Sequence, residues 1–504
     1  MKRNAALLWF LGLLACPSGA LAAGFEYGPQ GVHALGRGGA FTAGADDPSA
    51  IWWNPAALAR MRGTRLMYNH TLSDLSLSFE RLPARRCKGG PSQDPCDPDP
   101  AYNNGTGEVS FPVIHQQQGF FPMGISLGLT SDFGLKDWAF GLGLSGPAAF
   151  GKVSYPNTAP ASGQTEPAAS ASRYSVTDLD AMLAFVSLSA AYKYQQWFGV
   201  GITLQYVTVP WVRYSVDIVG PAAAVNQNDP AKNLNDLRVD LDVADWAGVS
   251  GIAGFWVRPL PQLELAMAAR VAPIPVRANG DLTISGTQNS IYARSAPVKV
   301  PGRLSFDYPV DLRAALRFVW PQGDREVFDV ELDYAWEQWS VQDAFRIRFD
   351  QQEVEAFGTS LLLKSLELPR NLKDTHSLRL GGTWNALPRH LWVSLGGWWE
   401  SGAQPKAYTA IDLPSWDRFG LGFGVRGAWR GLEVGISYGH VFQLSRTVQA
   451  GEGRVYQQLL DFEGNVRNGY PVNEGRYRSS FDVISLGLTI LWEELVHGRP
   501  VAGR

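Results

Sequence analysis

Large apolar residues and small or polar residues alternate along most of the chain. Between Trp138 and Ser145, the even positions carry large apolar side chains and the odd positions carry alanine, glycine or serine. The same period of two returns at residues 198–206 and 330–336. Because successive side chains of a β-strand point to opposite faces, each segment is predicted to be a strand with one large apolar face and one small or polar face.

This pattern predicts fourteen strands, an even number. They lie near residues 65–79, 117–130, 138–145, 183–194, 198–208, 247–258, 262–271, 310–320, 326–339, 376–384, 391–399, 418–429, 432–440 and 481–492. Short predicted turns at residues 131–137, 195–197, 259–261, 321–325, 385–390 and 430–431 alternate with long predicted loops at 80–116, 146–182, 209–246, 272–309, 340–375, 400–417 and 441–480. Short periplasmic turns on one rim and long extracellular loops on the other are typical of a bacterial outer-membrane barrel, whereas a soluble sandwich has little reason to sort its loops in this way.

The last predicted strand carries a second signal. Ile484, Leu486, Leu488, Ile490 and Trp492 occupy alternate positions, which resembles the C-terminal assembly signal of outer-membrane proteins and implies the barrel-assembly machinery as a partner. Such signals usually end the chain, but here residues 493–504 follow. Tryptophans near strand ends fit the aromatic girdles of a barrel, with ordinary packing as the alternative.

Composition is consistent with a barrel and excludes some other classes. The 504 residues include 54 glycines, 18 tryptophans and 17 tyrosines, only 18% are charged, and the net charge is −3. Without a basic footprint, no nucleic-acid partner is predicted. Beyond the first residues no uninterrupted apolar run reaches about 18 residues, so no transmembrane helix is expected.

The first residues predict export. Met1, Lys2 and Arg3 precede an apolar stretch and the small-residue site Ala20–Ala22, so residues 1–22 are predicted to be a signal peptide. A second interpretation stays open, because residues 13–16 resemble a lipobox in which Cys16 would be lipidated. After cleavage at Ala22, Cys87 and Cys96 would be the two remaining cysteines, and in an oxidising compartment they are expected to form a disulfide at a loop tip.

The sequence contains little evidence for a catalytic or a metal-binding site. Residues 124–128 and 435–439 match G-x-S-x-G, but a nucleophile elbow needs a following helix and both segments sit inside predicted strands. A lipid-hydrolysing enzyme using Ser126 or Ser437 with His440 is therefore a rival hypothesis only. The acidic loop 94–99 lacks the glycine and distal glutamate of an EF-hand. We predict no metal and no cofactor.

One segment is left over once the strands are assigned. Residues 28–56 are rich in glycine, turn at Asp46 and Asp47, and continue into Ile51, Trp52 and Trp53. A fourteen-stranded barrel has an interior too wide for its wall side chains to fill, so it can bury these apolar residues. The segment is predicted to be a plug inside the barrel.

At this point the sequence resembles the FadL/TodX family of outer-membrane transporters for hydrophobic compounds. The resemblance is carried by the stretches 34–41, 45–50, 54–56, 140–147, 189–193, 339–340 and 413–418. It implies an all-β protein, a 14-stranded antiparallel transmembrane β-barrel with an N-terminal hatch in the lumen. It divides the chain into a signal peptide (1–22), a hatch (23–63), a barrel (64–492) and a C-terminal tail (493–504).

The family resemblance also implies a mechanism. Long-chain fatty acids or aromatic hydrocarbons would enter an apolar pocket, the hatch would rearrange, and the ligand would leave sideways at a kinked third strand. The gate motif would be Asn54, Pro55 and Ala56, beside that strand. Glycine and proline suit a kink, at Gly141, Gly143, Gly146 and Pro147.

The remaining expectations concern the surroundings of the protein. Pocket-lining candidates are Phe25, Ile51, Trp52 and Trp53. The expected partners are the hydrophobic ligand and outer-membrane lipid with lipopolysaccharide, and the protein is expected to be a monomer in the bacterial outer membrane. A structural or adhesive role for the long loops is the third hypothesis.

Overall fold

The computed structural model describes residues 28–85, 108–109, 111–146, 152–156, 158–160, 167–221, 236–288, 290–323, 325–349, 352–356, 359–363, 365–461 and 463–498. Several predictions above concern residues outside these ranges, namely the signal peptide 1–22 with Cys16, the acidic loop 94–99, and Phe25, Cys87, Cys96 and Pro147.

Fourteen antiparallel wall strands close into a barrel, as the alternation of residues predicts. Strand one pairs with strand fourteen from Arg65 opposite Leu491 to Arg81 opposite Gly475, which leaves no free edge between the ends of the wall. In chain order, the wall strands are Arg65–Arg81; Ile114–His115 with Phe121–Ser131; Trp138–Ser145 with Lys152–Ser154; Asp178–Tyr194; Phe198–Val219; Asp236–Leu260; Leu263–Arg270 with Ile274–Gly286; Val298–Tyr308 with Asp311–Gln322; Arg325–Glu337 with Ala344–Phe349; Leu366–Pro369 with Thr375–Leu387; Leu391–Glu400; Arg418–Trp429; Leu432–Val448; and Gly475–Leu491.

Smaller elements fill the lumen and the loops. The hatch contains the helices Val32–Gly36 and Ala50–Trp53 and the 3₁₀ helix Pro55–Arg60. Loop hairpins pair Ala84–Arg85 with Glu108–Val109, Thr158–Pro160 with Pro167–Ala169, Gln352–Ala356 with Thr359–Leu363, and Tyr456–Leu460 with Val466–Pro471. Two 3₁₀ turns, Trp339–Val341 and Lys406–Tyr408, and the C-terminal helix Trp492–His497 complete the set. Within the described ranges, no helix is long and apolar enough to cross a membrane.

Turn chemistry explains how the hatch helices begin. The carboxylate of Asp47 accepts a hydrogen bond from the Ser49 amide at 2.8 Å, one residue before the helix Ala50–Trp53. That helix ends at Asn54, whose side chain accepts from the Ala56 amide at 3.1 Å and caps the next helix. Pro55 lies in the first turn of this 3₁₀ helix. A backbone N–H at that position has no acceptor within the helix, so the missing N–H of proline costs no hydrogen bond.

The lower half of the wall has an apolar outer face, as a lipid-facing surface requires. On strand fourteen, Leu486 and Leu488 point outward, while Ser485 and Thr489 point into the lumen. Exposed tryptophans such as Trp320, Trp384 and Trp429 stand near the short turns, in the position of an interfacial girdle.

The upper half of the wall inverts this alternation, and here the predicted loops were wrong. The predicted loops 209–246 and 272–309 are largely β-strand in the structure. In the first of them, strands five and six extend to 22 and 25 residues. On strand six, Val239 and Leu241 point inward and Asp240 and Asp242 point away from the lumen, and register shifts between residues 207 and 212 of strand five separate this part from the lower half. Above the membrane the outer face meets water, so the apolar residues turn inward and build a large core cluster.

Candidate functional site

Inward-facing glycines seat the hatch against most of the wall. A Cβ atom at Gly201 of strand five would lie 2.4 Å from the carbonyl carbon of Pro55, and one at Gly381 of strand ten would lie 2.1 Å from the carbonyl oxygen of Arg37. Any larger residue at these positions would collide with hatch backbone. At other wall glycines a Cβ atom would meet a hatch side chain, as at Gly128 against Pro48 and at Gly435 against Val32. We call all of these wall positions the glycine arc: Gly128, Gly141, Gly143, Gly201, Gly254, Gly381, Gly396, Gly422, Gly435 and Gly487.

Charged side chains on strands seven to nine hold the rest of the hatch. Arg37 donates from Nη1 to Asp329 at 2.8 Å and from Nη2 to Glu331 at 2.9 Å. Glu331 also accepts from the backbone amides of Ala43 and Gly44, at 2.6 and 3.0 Å. These residues are all buried, so each charge depends on its partners for solvation.

Further bonds extend this group, which we call the charged arc. Asp333 accepts from the amides of Phe41 and Thr42 at 3.1 and 3.0 Å. Arg317 joins Asp329 to Glu264, to which it donates from Nη1 at 2.9 Å. The hatch amides that no helix satisfies thus find carboxylate acceptors on the wall.

His33 ties the first hatch helix to strand thirteen. Its ring nitrogens lie 2.6 Å from Asp46 and 2.9 Å from Glu433. Burial and the nearby Arg426 lower the pKa of His33, but Asp47 and Asp46 outweigh both and raise it to about 9. The imidazole is therefore charged at neutral pH and strengthens these contacts.

The gate motif lies against strands five and six. Asn54 contacts Gly254 of strand six and donates to the Thr42 carbonyl at 3.0 Å, while Pro55 contacts Gly201 of strand five. Strand three instead faces Ile51, which lies against Gly141 and Gly143. The 3₁₀ helix that begins at Pro55 also reaches strand three, where Leu58 Cδ1 lies 3.4 Å from the Cβ position of Gly141, and the place of the motif beside an opening at strand three stays a prediction.

The wall is interrupted at the upper end of strand three. Its ladder to strand two ends at Leu144 opposite Leu127, although strand two continues to Phe121. Its ladder to strand four is described as far as Ser145 opposite Phe185 and again from Lys152 opposite Asp180. Between these pairs the chain has six residues (146–151, of which 147–151 lie outside the described ranges) against four in strand four (181–184). Of the predicted kink residues, Gly141 and Gly143 pair regularly, and the irregularity starts at Gly146.

An inner cavity lies above the hatch and reaches this interruption. The hatch contributes Gln30, Trp52 and Trp53, and the wall contributes three arginines, Arg270, Arg313 and Arg379. Ser145 and Gly146 line the same cavity. Of the predicted pocket residues, Trp52 and Trp53 line the cavity, and Ile51 is buried beneath it.

Carboxylates accompany the arginines, since Glu337 and Glu400 line the same cavity. Arg270 lies 3.3 Å from Asp311, which also lies 3.1 Å from Arg313, and Arg379 donates to Glu400 at 3.2 Å. Two buried donors of lining residues, Gln30 Nε2 and Trp53 Nε1, find no acceptor in the described part of the chain. The cavity can therefore bind groups that accept hydrogen bonds.

A second, outer cavity is apolar. Its lining is mostly leucine, valine, isoleucine and phenylalanine, and its charges cancel in the buried ion pair of Arg370 and Asp412. Phe306 of the outer cavity and Tyr308 of the inner one are successive inward residues of strand eight, so the two cavities are neighbours.

A third cavity lies below the hatch, near the short turns. Its lining includes Arg258 and Arg389 beside the turns, and His33 and Arg60 of the hatch. The hatch therefore separates an upper, partly apolar space from a lower, charged one.

The G-x-S-x-G serines belong to the wall. Ser437 points into the lumen, whereas His440 points outward and contacts Asp482 at 2.8 Å, so the two lie on opposite faces of strand thirteen. Gly128 and Gly435 of these motifs belong to the glycine arc. The seating role of these glycines was missed from the sequence, although their spacing at alternate strand positions was the available signal.

Comparisons with known proteins agree with this architecture. The model of a family described as outer membrane protein transport protein (OMPP1/FadL/TodX) matches residues 13–468. No curated protein matches the sequence.

Solved structures share the fold at low sequence identity. A FadL homologue from Pseudomonas aeruginosa is 15% identical, with a TM-score of 0.69 over 93% of this chain and 100% of the other. The toluene transporter TbuX from Ralstonia pickettii is 16% identical, with a TM-score of 0.57 over 92% and 100%. The toluene transporter TodX from P. putida is 12% identical, with a TM-score of 0.59 over 92% and 98%.

The glycine arc predicts a sharp difference between two neighbouring glycines. Gly201→Ala should lower the free energy of unfolding by about 1–3 kcal/mol, because its Cβ would overlap hatch backbone. Gly199→Ala is the matched control, since its nearest contacts are ordinary at 3.5 Å. Urea unfolding in detergent measures both, and equal effects would contradict a seating role.

The charged arc predicts that loss of Arg37 loosens the hatch. Arg37→Met leaves Asp329 and Glu331 buried without their partner, which should cost about 3–5 kcal/mol. Planar-bilayer conductance should rise as the hatch opens. Arg213→Met, at an exposed pair with Asp242, should change neither stability nor conductance. A closed and stable Arg37 variant would show that the charged arc does not hold the hatch.

Proposed function

The chain belongs to the outer membrane protein transport protein family (OMPP1/FadL/TodX), and from this premise we propose that it carries hydrophobic compounds passively across the bacterial outer membrane. The family is one of outer-membrane transporters. The proposed route begins in the outer cavity, continues in the inner cavity and leaves the barrel sideways at strand three.

One observation carries the lateral exit. The inner cavity meets the wall at Ser145 and Gly146, where the ladder between strands two and three has already ended. Strand three also carries two more residues than strand four between their paired segments, so the wall cannot stay regular there.

The chemistry of a greasy ligand favours such an exit. Each methylene exposed to water costs about 0.8 kcal/mol, so a path from an apolar cavity directly into lipid avoids most of that cost. A path along the barrel axis is less favourable for an apolar ligand than the lateral one, because it crosses the charged cavity beneath the hatch. It would also require the hatch to leave both the glycine arc and the charged arc.

The lining of the inner cavity favours an amphiphilic ligand with an acidic head group. Its three arginines and its two unsatisfied donors suit a carboxylate, while the neighbouring outer cavity suits a hydrocarbon chain. We therefore place long-chain fatty acids ahead of aromatic hydrocarbons, although the relatives TodX and TbuX are toluene transporters.

The remaining proposals concern organisation. We propose a signal peptide over residues 1–22, a hatch over 23–63, a barrel over 64–492 and a tail over 493–504. The mature protein would act as a monomer in lipid and lipopolysaccharide, inserted by the barrel-assembly machinery.

Removing the two extra residues of strand three should stop transport. In a host lacking its own transporter, the wild type should restore uptake of radiolabelled oleate. Deletion of Pro147 and Ala148 should abolish uptake, because strands three and four could then pair without interruption. Heat-modifiable migration on gels would verify that the barrel still folds.

A control deletion keeps this test specific. Removing Ala222 and Ala223, in the loop between strands five and six, should leave uptake intact. Full uptake by the strand-three deletion would contradict the lateral exit, and absence of uptake by folded wild type across a panel of fatty acids and hydrocarbons would contradict the proposed function.

Arginine replacement should separate the two ligand classes. Arg270→Met removes a cavity cation and should lower oleate uptake about tenfold, the loss of one charge-assisted hydrogen bond, while toluene uptake changes little. Its matched control is Arg213→Met, outside the lumen. An equal fall for both ligands would argue against recognition of a carboxylate.

A further inference from the structure

Two adjacent hatch tryptophans have opposite surroundings. Trp53 is 6% exposed and held on several sides. Its ring meets Phe41 edge-on at 5.9 Å, and the guanidinium groups of Arg313 and Arg379 lie 5.0 and 6.0 Å from its centre. Its side chain is fixed by these contacts.

The ring of Trp52 is held by apolar packing alone. It is half-buried against the hatch cluster that contains Ile51 and Leu58, and in the described residues its indole makes no hydrogen bond, aromatic contact or cation–π contact. The ring lies on Gly143 of strand three, where a Cβ atom would come within 3.0 Å of Cζ3. A rotamer change of this side chain therefore gives up packing but no hydrogen bond or ion pair.

The backbone around Trp52 is, in contrast, firmly held. The Trp52 carbonyl accepts from Arg313 at 3.2 Å, and the preceding carbonyl, that of Ile51, accepts from Thr203 at 2.7 Å. Two residues later, Asn54 and Pro55 fill the spaces above Gly254 and Gly201. A shift of this backbone would break all of these contacts together, whereas rotation of one indole breaks none of them.

The position of Trp52 connects the cavity with the interruption in the wall. Trp52 lines the inner cavity together with Ser145 and Gly146. Gly143, on which the indole lies, precedes Ser145 by one inward position on strand three. The indole thus forms the lower edge of the space through which a ligand would reach strand three. On the side of strand two, Gln30 lies against Gly124.

We propose that the side chain of Trp52 is the moving part of the lateral exit, while the hatch backbone from residue 32 to residue 60 stays in its seat. The inference rests on the proposed lateral transport. The ligand displaces the indole from Gly143, and the bulk of the indole limits the width of the ligand that can leave. The rearrangement expected of the hatch is thereby reduced to one rotamer change.

The first test changes the size of this side chain. Trp52→Ala should raise oleate uptake about two- to fivefold and admit a pyrene-labelled fatty acid that the wild type excludes, because the gating step is removed. Trp52→Phe should give intermediate values. The control is Trp429→Ala, whose ring is 63% exposed on the outer face and should not affect transport.

The second test locks the hatch backbone to the wall. A Cβ atom at Gly487 would lie 3.5 Å from the Cβ of Val32, within the range of a disulfide. The two atoms that it would otherwise collide with, Val32 Cγ2 at 2.8 Å and Asn69 Oδ1 at 2.4 Å, are removed by Val32→Cys and by Asn69→Ala, which is added to the background. We expect Val32→Cys with Gly487→Cys, in a background with Cys87→Ser and Cys96→Ser, to transport oleate equally well when oxidised and when reduced. Gel migration before and after reduction verifies the cross-link and the folded barrel.

The outcomes separate the inference from the proposed function. If folded wild type takes up no ligand, the proposed function fails and the inference with it. If the wild type transports oleate but Trp52→Ala and Trp52→Phe match it for both probes, the inference alone is wrong. Loss of uptake on oxidation, restored by reduction, would likewise overturn it, since the backbone would then have to move.

Discussion

The structure depends on placing the irregular hatch segment inside a closed sheet without leaving the backbone N–H and C=O groups of the hatch unpaired. The wall solves this in two ways. Along the glycine arc it removes side chains, so that hatch backbone and wall backbone approach within contact distance. Along the charged arc it supplies carboxylates, so that the amides of Phe41 to Gly44 have acceptors. Neither arc alone surrounds the hatch, and together they fix it from opposite sides.

The inversion of the alternation gives the lumen its chemistry. Below, small and charged residues face inward because the outer face must be apolar for lipid. Above, where the outer face meets water, the apolar residues turn inward and create the outer cavity. The inner cavity lies between these zones and combines tryptophan with arginine. The outer face of the wall is apolar where it meets lipid and polar where it meets water, and the inner face has the opposite character. The lumen is therefore apolar in its upper part and polar around the hatch.

Much of the fold could be predicted, because strand number and strand order rest on local signals. The period of two at Trp138–Ser145 and the short turns predicted all fourteen strands. The upper strand extensions were missed because their alternation is reversed, as at Val239 and Asp240. The neighbours of Asn54 were missed as well. Which wall strand faces a hatch residue depends on how the closed barrel and the hatch fold together, and no local pattern records it. The glycines of the G-x-S-x-G segments were visible, but their partners were not.

The seat of the hatch also constrains the route. To open the axis, Arg37 would have to leave Asp329 and Glu331, and a buried carboxylate left alone is far costlier than the pair. The hatch backbone would also have to lift away from the close packing that the glycine arc provides. At strand three, in contrast, no ladder pair to strand two lies beyond Leu144 among the described residues, although Gln117 donates a backbone hydrogen bond to Ser154 at 2.9 Å. Opening the axis would therefore break buried charge pairs, whereas the described part of this wall has fewer bonds to break.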